Sequence, residues 1–214
     1  EGSLYVVDQA SGIWVREPTE RIAKMVAEVH DGKDNCKRAS DYKGIAEHAI
    51  TIASSNDFFA DAPVGLACPE GFYDIVGEEI RVEPLTPAHR QRVMIGVTPM
   101  EMPTPLFDKF MHETFKSKDD GEEAQQLALV QEIAGAIMIG LMHKHQKAVL
   151  FYDPFGRAGK GTLERIFRAT VPPAFVTAVS PFVWNKEYFV ASLAGARLNV
   201  VGELPDDAPI PAAM

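Results

Sequence analysis

The sequence is poor in cysteine, in long apolar runs and in positive charge, and each shortage narrows the classes of protein it can belong to. Its 214 residues include two cysteines, Cys36 and Cys68, which lie far apart and form no CxxC pair. They favour neither a disulfide framework nor a zinc site, so we expect a protein of the reducing cytoplasm. The longest apolar stretch, residues 133–142, is too short to span a bilayer and contains two glycines, so we expect no membrane partner.

The charge balance argues against a surface that attracts nucleic acid as a whole. The chain has 21 Lys and Arg against 30 Asp and Glu, a formal net charge of -9. Any contact with DNA must therefore be local. The basic residues we consider for phosphate contacts are Arg90, Arg92, Lys116, Lys118, Lys144 and Lys147. Hydrophobic residues make up 46% of the chain, which indicates a folded core rather than disorder.

Hydrophobic periodicity predicts a mixture of helices and short strands in the first two thirds of the chain. Alternating residues on both sides of a turn predict a hairpin over 4–16 that carries Trp14. Helical spacing and capping residues predict helices over 19–32, 42–54, 103–115 and 121–142. Short β-like runs predict strands over 64–68, 72–75 and 80–82. In the second helix we expect Ile45, Ala49 and Ile52 to share one apolar face.

A glycine-rich loop between an apolar run and a helical pattern is the most informative feature of the chain. Residues 148–162 read AVLFYDPFGRAGKGT, and we predict a strand from 148 and a helix that opens near Leu163. Glycines in such a loop permit backbone angles that turn successive N–H groups toward a phosphate, and a lysine there reaches the outer phosphates. The residues predicted to bind nucleotide are Gly156, Arg157, Ala158, Gly159, Lys160, Gly161 and Thr162.

The loop departs from the GxxxxGK[ST] pattern at two positions. Pro154 occupies the place of the first glycine, and Gly161 occupies the place of the Ser or Thr that usually follows the lysine. Thr162 comes one residue later. The alternative is a glycine turn between a strand and a helix in an ordinary α/β domain, but the Gly-x-x-Gly-Lys-Gly-Thr spacing favours nucleotide binding.

An acidic residue at the end of a later strand completes the predicted site. The pattern after the loop predicts strands over 175–178 and 197–201 with a helix over 185–193 between them. The second strand leads to Glu203. Metal-assisted hydrolysis of a nucleoside triphosphate needs a carboxylate beside the γ-phosphate to orient water or hold Mg²⁺. Glu203 is therefore our candidate catalytic carboxylate, together with Lys160.

These residues resemble one family of motor proteins. Residues 152–163, YDPFGRAGKGTL, followed by LAGARL at 193–198 and by Glu203, are similar to the helicase part of phage and plasmid primase-helicases. Those belong to the superfamily 3 helicases, with the poxvirus-type replicative NTPase. Upstream, residues 70–78 resemble a segment of the domain that precedes the helicase in that family, with Glu70 in place of an Asn.

The resemblance implies an ATP-dependent replicative DNA helicase of a phage, plasmid or integrated mobile element. It would assemble as a homo-hexameric ring, hydrolyse ATP with Mg²⁺ and translocate on single-stranded or forked DNA. Lys160 would bind the outer phosphates, Thr162 would contact a phosphate or Mg²⁺, and Glu203 would polarise the attacking water and lie at the metal. Gly202 stands where many P-loop enzymes carry Asp, which leaves the Mg²⁺ ligand open.

We therefore expect an α/β protein: a mixed α+β domain over 1–147 followed by the first part of an AAA+-like P-loop core over 148–214. Such a core usually needs about 100 to 150 residues, so we expect a fragment that is inactive alone. The Gly-Lys-Gly-Thr order also resembles the adenylate kinase family, and a nucleotide kinase is one alternative. A non-catalytic module for DNA docking or assembly is another.

Overall fold

The computed structural model describes residues 4–30, 36–117, 119–153 and 156–202, and the chain divides into two compact units, Glu1–Met94 and Ile95–Met214. The elements of the first unit are β1 (Leu4–Val7), β2 (Trp14–Glu17), α1 (Thr19–His30), α2 (Ala39–Ala53), β3 (Gly65–Cys68), β4 (Gly71–Val76) and β5 (Glu79–Glu83). Those of the second are α3 (Pro105–Thr114), α4 (Asp120–Ile139), α5 (Met142–His145), α6 (Lys160–Ala169), β6 (Val176–Thr177), α7 (Glu187–Ala191) and β7 (Leu198–Asn199). The protein is thus a mixture of helices and small sheets.

Two small antiparallel sheets form the β structure of the first unit. Strands β1 and β2 pair as the predicted hairpin, with Val7 opposite Trp14, and β3, β4 and β5 form a meander. The ring of Phe72 on β4 is fully buried and stacks on the His89 ring, with ring centroids 4.4 Å apart. Burial raises the pKa of the neighbouring Cys68 thiol, and neither cysteine is in a disulfide. The meander is therefore the packed centre of this unit.

An aromatic cluster beside the hairpin contacts two of the basic residues that were considered for phosphate contacts, Arg90 and Arg92. The ring of Trp14 meets Phe58 edge to face, with centroids 4.8 Å apart, and Phe58 meets Phe59 in the same way at 4.9 Å. Arg90 donates to the carbonyl oxygen of Phe58 at 2.9 Å, and the Arg92 guanidinium lies 4.9 Å from the Phe59 ring centroid. Arg90 is therefore a structural residue here, whereas Arg92 stays exposed over an aromatic surface.

Helices α3, α4 and α6 enclose the core of the second unit. Its buried side chains are Met111, Val130, Ile133, Ile137, Leu163, Phe167 and Val171. Beside it, β6 and β7 pair in parallel, with Val176 opposite Leu198. The Asn199 side chain fixes this end of the pair, because it accepts from the Val179 N–H at 2.7 Å and donates to the Val179 carbonyl at 2.9 Å.

Three local expectations from the sequence are corrected by the structure. The predicted helix over 121–142 ends at Ile139, because Gly140 adopts a left-handed conformation with φ of 75° and closes it. On α2 the buried residue is Ala46, and Ile52 is 73% exposed. Residues 148–153 form no strand.

Just before the loop, the side chains of residues 150–153 alternate between exposed and half-buried positions as in a strand, but the backbone of 148–153 forms no strand hydrogen bonds with the described residues. Phe151 packs against the core, with its ring centroid 5.9 Å from that of Phe167, whereas Leu150 is 73% and Tyr152 80% exposed. A strand is stabilised by backbone pairing with a neighbour, and among the described residues no segment pairs with 148–153.

The domain boundary predicted at 147/148 stays a prediction. Residues from both sides of it, Ile133 and Leu163 among them, contribute to one core. The later predicted elements are shorter in the structure than in the sequence pattern, with strands at 176–177 and 198–199. In the part of the chain that the structure describes, no helix is long and apolar enough to cross a membrane.

A hydrogen bond between His112 on α3 and Glu123 on α4 gives the second unit a measurable response to pH. The His112 Nδ1 and a Glu123 carboxylate oxygen lie 2.8 Å apart, and the hydrogen bond with His112 lowers the pKa of Glu123. A lowered pKa stabilises the fold above the unfolded-state pKa, and this contribution is lost as pH falls through the folded-state pKa. We predict that His112→Ala, which removes the donor, raises the pKa of Glu123 in a carboxyl ¹³C NMR titration. An unchanged titration midpoint would show that the pair does not form in solution.

Candidate functional site

In the predicted phosphate-binding loop, residues on both sides of Ala158 adopt left-handed backbone conformations with positive φ. Gly156 has φ of 74°, Arg157 of 65° and Gly159 of 80°. A non-glycine residue in this region costs of the order of 1 kcal/mol and persists where the surrounding structure requires it. The last of these left-handed residues is Gly159, which is the N-cap residue of α6. The helix therefore presents its positive end to the loop.

Gly159 is required by packing as well as by conformation. A Cβ atom at this position would lie 2.8 Å from Cε2 of Phe110 and 3.0 Å from Oγ1 of Thr114, both on α3. Phe110 packs against the core and cannot move away at low cost. A Cβ at Gly161, by contrast, meets nothing within 4 Å. The loop thus sits directly against α3, and its conformation depends on the absence of a side chain at Gly159.

An aspartate at the start of the loop holds the lysine. The Nζ of Lys160 lies 3.3 Å from Oδ2 of Asp153, and the same oxygen accepts from the Ala158 N–H at 3.4 Å. The Asp153 side chain is 14% exposed and that of Lys160 42%. One carboxylate oxygen therefore engages two donors, an ammonium and a loop N–H, of the kind that bind phosphate oxygens.

A third cation lies on the first turns of α6. The Arg165 guanidinium donates to Oγ1 of Thr162 at 3.1 Å. Arg165 is exposed, as are Arg157 and Lys160. An open concavity of about 670 Å³ is lined by Gly156, Arg157, Ala158, Gly159, Lys160, Gly161, Thr162 and Arg165. Three cations and a helix N-terminus around one depression are an arrangement suited to an anion.

The parallel pair β6 and β7 leads toward the predicted carboxylate. Arg168 on α6 bonds Glu164 at 2.8 Å and the carbonyl oxygen of Val200 at 3.3 Å, which ties the end of β7 to the helix. A Cβ at Gly202 would lie 3.6 Å from Oε2 of Glu164. Glu203 itself lies outside the described residues, as does Pro154.

The structure brings all seven predicted loop residues to one concavity, and two further residues of the site were not predicted. Asp153 was part of the quoted motif but had no role, and Arg165 was not considered. Arg165 follows Thr162 by three residues, a spacing that puts two side chains on the same face of a helix. That spacing was the available signal. The described residues contain no group of three or more His, Cys, Asp or Glu that could hold a metal ion.

We predict that Gly159→Ala destabilises the second unit. The substitution adds a Cβ against Phe110 and forces a non-glycine residue to φ of 80°, so the free energy of unfolding falls by more than about 1 kcal/mol. Gly161→Ala is the matched control, because its Cβ enters open space within α6. Chemical denaturation of both variants measures the difference. Equal stability of the two would contradict the close packing of Gly159 on α3.

We also predict that Asp153→Asn tightens the binding of phosphate ligands. The amide keeps the size of the side chain but removes the negative charge beside Lys160, which an incoming phosphate has to replace. Calorimetric titration with inorganic pyrophosphate should show an affinity several-fold above that of the unmodified chain. Weaker binding would instead mean that the carboxylate positions Lys160 for the ligand.

Comparisons with known proteins do not assign the chain to a family. No protein-family model matches the chain, and no curated protein matches its sequence. The resemblance to superfamily 3 helicases accordingly rests on the residues of 152–163 and 193–203, and more loosely on those of 70–78. The geometry of the loop stands independently of that resemblance.

Proposed function

We propose that this chain binds ATP through residues 156–162 and belongs to an ATP-dependent replicative DNA helicase of a phage, plasmid or integrated mobile element. The observation that carries the proposal is the concavity at the N-terminus of α6, lined by Lys160, two further cations and a left-handed loop. Phosphate groups need positive charge and inward-facing backbone donors. Such a site fits the triphosphate of ATP.

Lys160, Thr162 and Glu203 have separate parts in this proposal. Lys160 leaves Asp153 and pairs with the outer phosphates, while the loop backbone follows the remaining phosphate oxygens. Thr162 contacts a phosphate or the Mg²⁺ ion that accompanies ATP. Glu203, at the end of the segment that follows β7, polarises the attacking water and approaches the metal. When bound, Mg²⁺ neutralises charge that develops on the phosphates.

Hydrolysis is proposed for the assembled hexameric ring rather than for this chain alone. In ring NTPases a neighbouring subunit supplies an arginine to each site, a contribution of about 10³ to 10⁵ in rate where it has been measured. A nucleotide kinase would bind ATP through the same loop but would also need a site for a phosphate acceptor. Phosphate transfer to a nucleoside monophosphate, measured beside phosphate release, distinguishes the two activities.

We predict that Lys160→Ala lowers ATP affinity by about tenfold or more, because it removes the charge on the outer phosphates and leaves the backbone cradle. Lys186→Gln is the control for loss of one positive charge, since Lys186 caps the N-terminus of α7, lies over the Phe189 ring and is outside the concavity. Titration with ATP measures both variants. Equal affinities for Lys160→Ala and the unmodified chain would rule out the loop as the ATP site.

The Glu203 role is tested in an assembly that hydrolyses ATP. Glu203→Gln should retain bound nucleotide and lose turnover, because the amide keeps the shape of the side chain but cannot polarise water. Loss of ATP binding instead would assign Glu203 to the structure of the site. Turnover like that of the unmodified protein would remove Glu203 from the mechanism.

Contacts with DNA would have to come from a few exposed basic residues. Arg90 is engaged with the Phe58 carbonyl and is removed from the candidates, and Lys118 lies outside the described residues. The exposed candidates that remain are Arg92, Lys116, Lys144 and Lys147. Lys144 on α5 and Lys147 just beyond it precede the loop segment directly, so they are the pair best placed to link DNA binding to ATP.

We predict that replacing Lys144 and Lys147 together by Gln weakens single-stranded DNA binding and flattens its dependence on salt. Each lost phosphate contact should reduce the slope of log affinity against log salt by about 0.7. Fluorescence anisotropy with an oligonucleotide at several salt concentrations measures the slope. Lys109→Gln is the control for loss of a surface positive charge, because Lys109 forms an exposed salt bridge with Glu113. A salt slope unchanged in the double variant would leave assembly as the role of this region.

A further inference from the structure

The hydroxyl of Thr162 has a neighbour that restricts what it can bind. Arg165 donates to its oxygen at 3.1 Å across one turn of α6, and both residues line the concavity that also contains Lys160. Thr162 is half-buried, whereas Arg165 is exposed. The two side chains therefore act as one polar unit in the lining of the concavity.

The chemistry of a hydroxyl group decides between its two candidate ligands. A threonine hydroxyl has one hydrogen to donate and two lone pairs to accept with. The Arg165 N–H occupies one lone pair, so a metal on the other would lie about 2.1 Å from the oxygen and next to a full positive charge. The hydroxyl hydrogen, however, is still available for a phosphate oxygen. The arrangement thus favours donation to phosphate over coordination of Mg²⁺.

The charges around the loop also favour phosphate over Mg²⁺ as the ligand of Thr162. Arg157, Lys160 and Arg165 all line the concavity, and the carboxylate of Asp153 offsets the charge of Lys160 in this structure. The other acidic group of the first turns of α6, Glu164, is paired with Arg168. When a phosphate replaces Asp153 at Lys160, three cations surround it. Much of the charge of a polyphosphate can therefore be offset without a metal bound at Thr162.

We propose that Arg165 is a positioning residue of the phosphate site: it directs the Thr162 hydroxyl toward a phosphate oxygen, adds positive charge there, and excludes Thr162 from the Mg²⁺ ligands. This rests on the proposed function of the loop as an ATP site and states how the phosphates are held. It also makes tripolyphosphate a ligand in the absence of any divalent cation.

The test is calorimetric titration of the whole chain with tripolyphosphate in EDTA and with ATP in EDTA and in Mg²⁺. The variants are Thr162→Val, Arg165→Gln, Arg165→Lys and the double variant Thr162→Val/Arg165→Gln, with Lys186→Gln as the charge control. We expect Thr162→Val and Arg165→Gln each to weaken tripolyphosphate binding by about fivefold to tenfold. Arg165→Lys should recover part of the loss, and the double variant should lose less than the product of the single effects. The factor lost in Thr162→Val should be the same with and without Mg²⁺.

Two results would overturn this inference while leaving the loop as an ATP site. One is an effect of Thr162→Val confined to Mg²⁺, which would make Thr162 a metal ligand. The other is Arg165→Gln binding like Lys186→Gln. Failure of the proposed function looks different, because the unmodified chain would then bind neither ligand, or Lys160→Ala would bind both as well as the unmodified chain. Both substituted side chains are polar and exposed or at the helix surface, and circular dichroism checks that each variant keeps its helices.

Discussion

The burial of one face of α6 against α3 and α4 is the interaction on which the candidate site depends. Leu163 and Phe167 are 2% and 5% exposed and pack with Met111, Ile133 and Ile137. Burial of a large apolar side chain contributes about 1.5 to 3 kcal/mol, so these two residues anchor the helix firmly. Because the helix is anchored, its N-terminus has a fixed position. The end of the loop, which joins the helix at that N-terminus, is held in place with it.

The charged face of the same helix carries the polar chemistry. Apolar residues three and four apart point inward, and Thr162 and Arg165, also three apart, point to the concavity. Arg168 on the following turn bonds the Val200 carbonyl and so ties the helix to the end of β7. A single helix thus links the core, the loop and the segment that leads to Glu203. This arrangement explains how a short polar loop can keep several donors together on an otherwise acidic protein.

Most helices of this chain are local enough to be predicted approximately from sequence, whereas the lack of backbone pairing at residues 148–153 and the contacts of the loop are not. Helix α6 and the hairpin of β1 and β2 follow from periodicity, and both were predicted. Residues 148–153 have the alternation of a strand, yet strand formation depends on a neighbour that no local pattern supplies. The requirement for glycine at position 159 is likewise partly tertiary, because Phe110 and Thr114 create it. Arg165 could have been found from its i,i+3 spacing to Thr162, but the choice of hydrogen-bond partner needed coordinates.

The proposed function depends on phosphate binding by the backbone from Gly156 to Thr162 and by the side chains around it. The most direct measurement is an ¹H–¹⁵N correlation spectrum of the labelled chain during titration with pyrophosphate. The account predicts saturable shifts that are largest for the amides of residues 156–162 and for the Arg165 side chain, with the hairpin of β1 and β2 unaffected. Shifts spread over basic surface residues, with the loop amides unmoved, would contradict it.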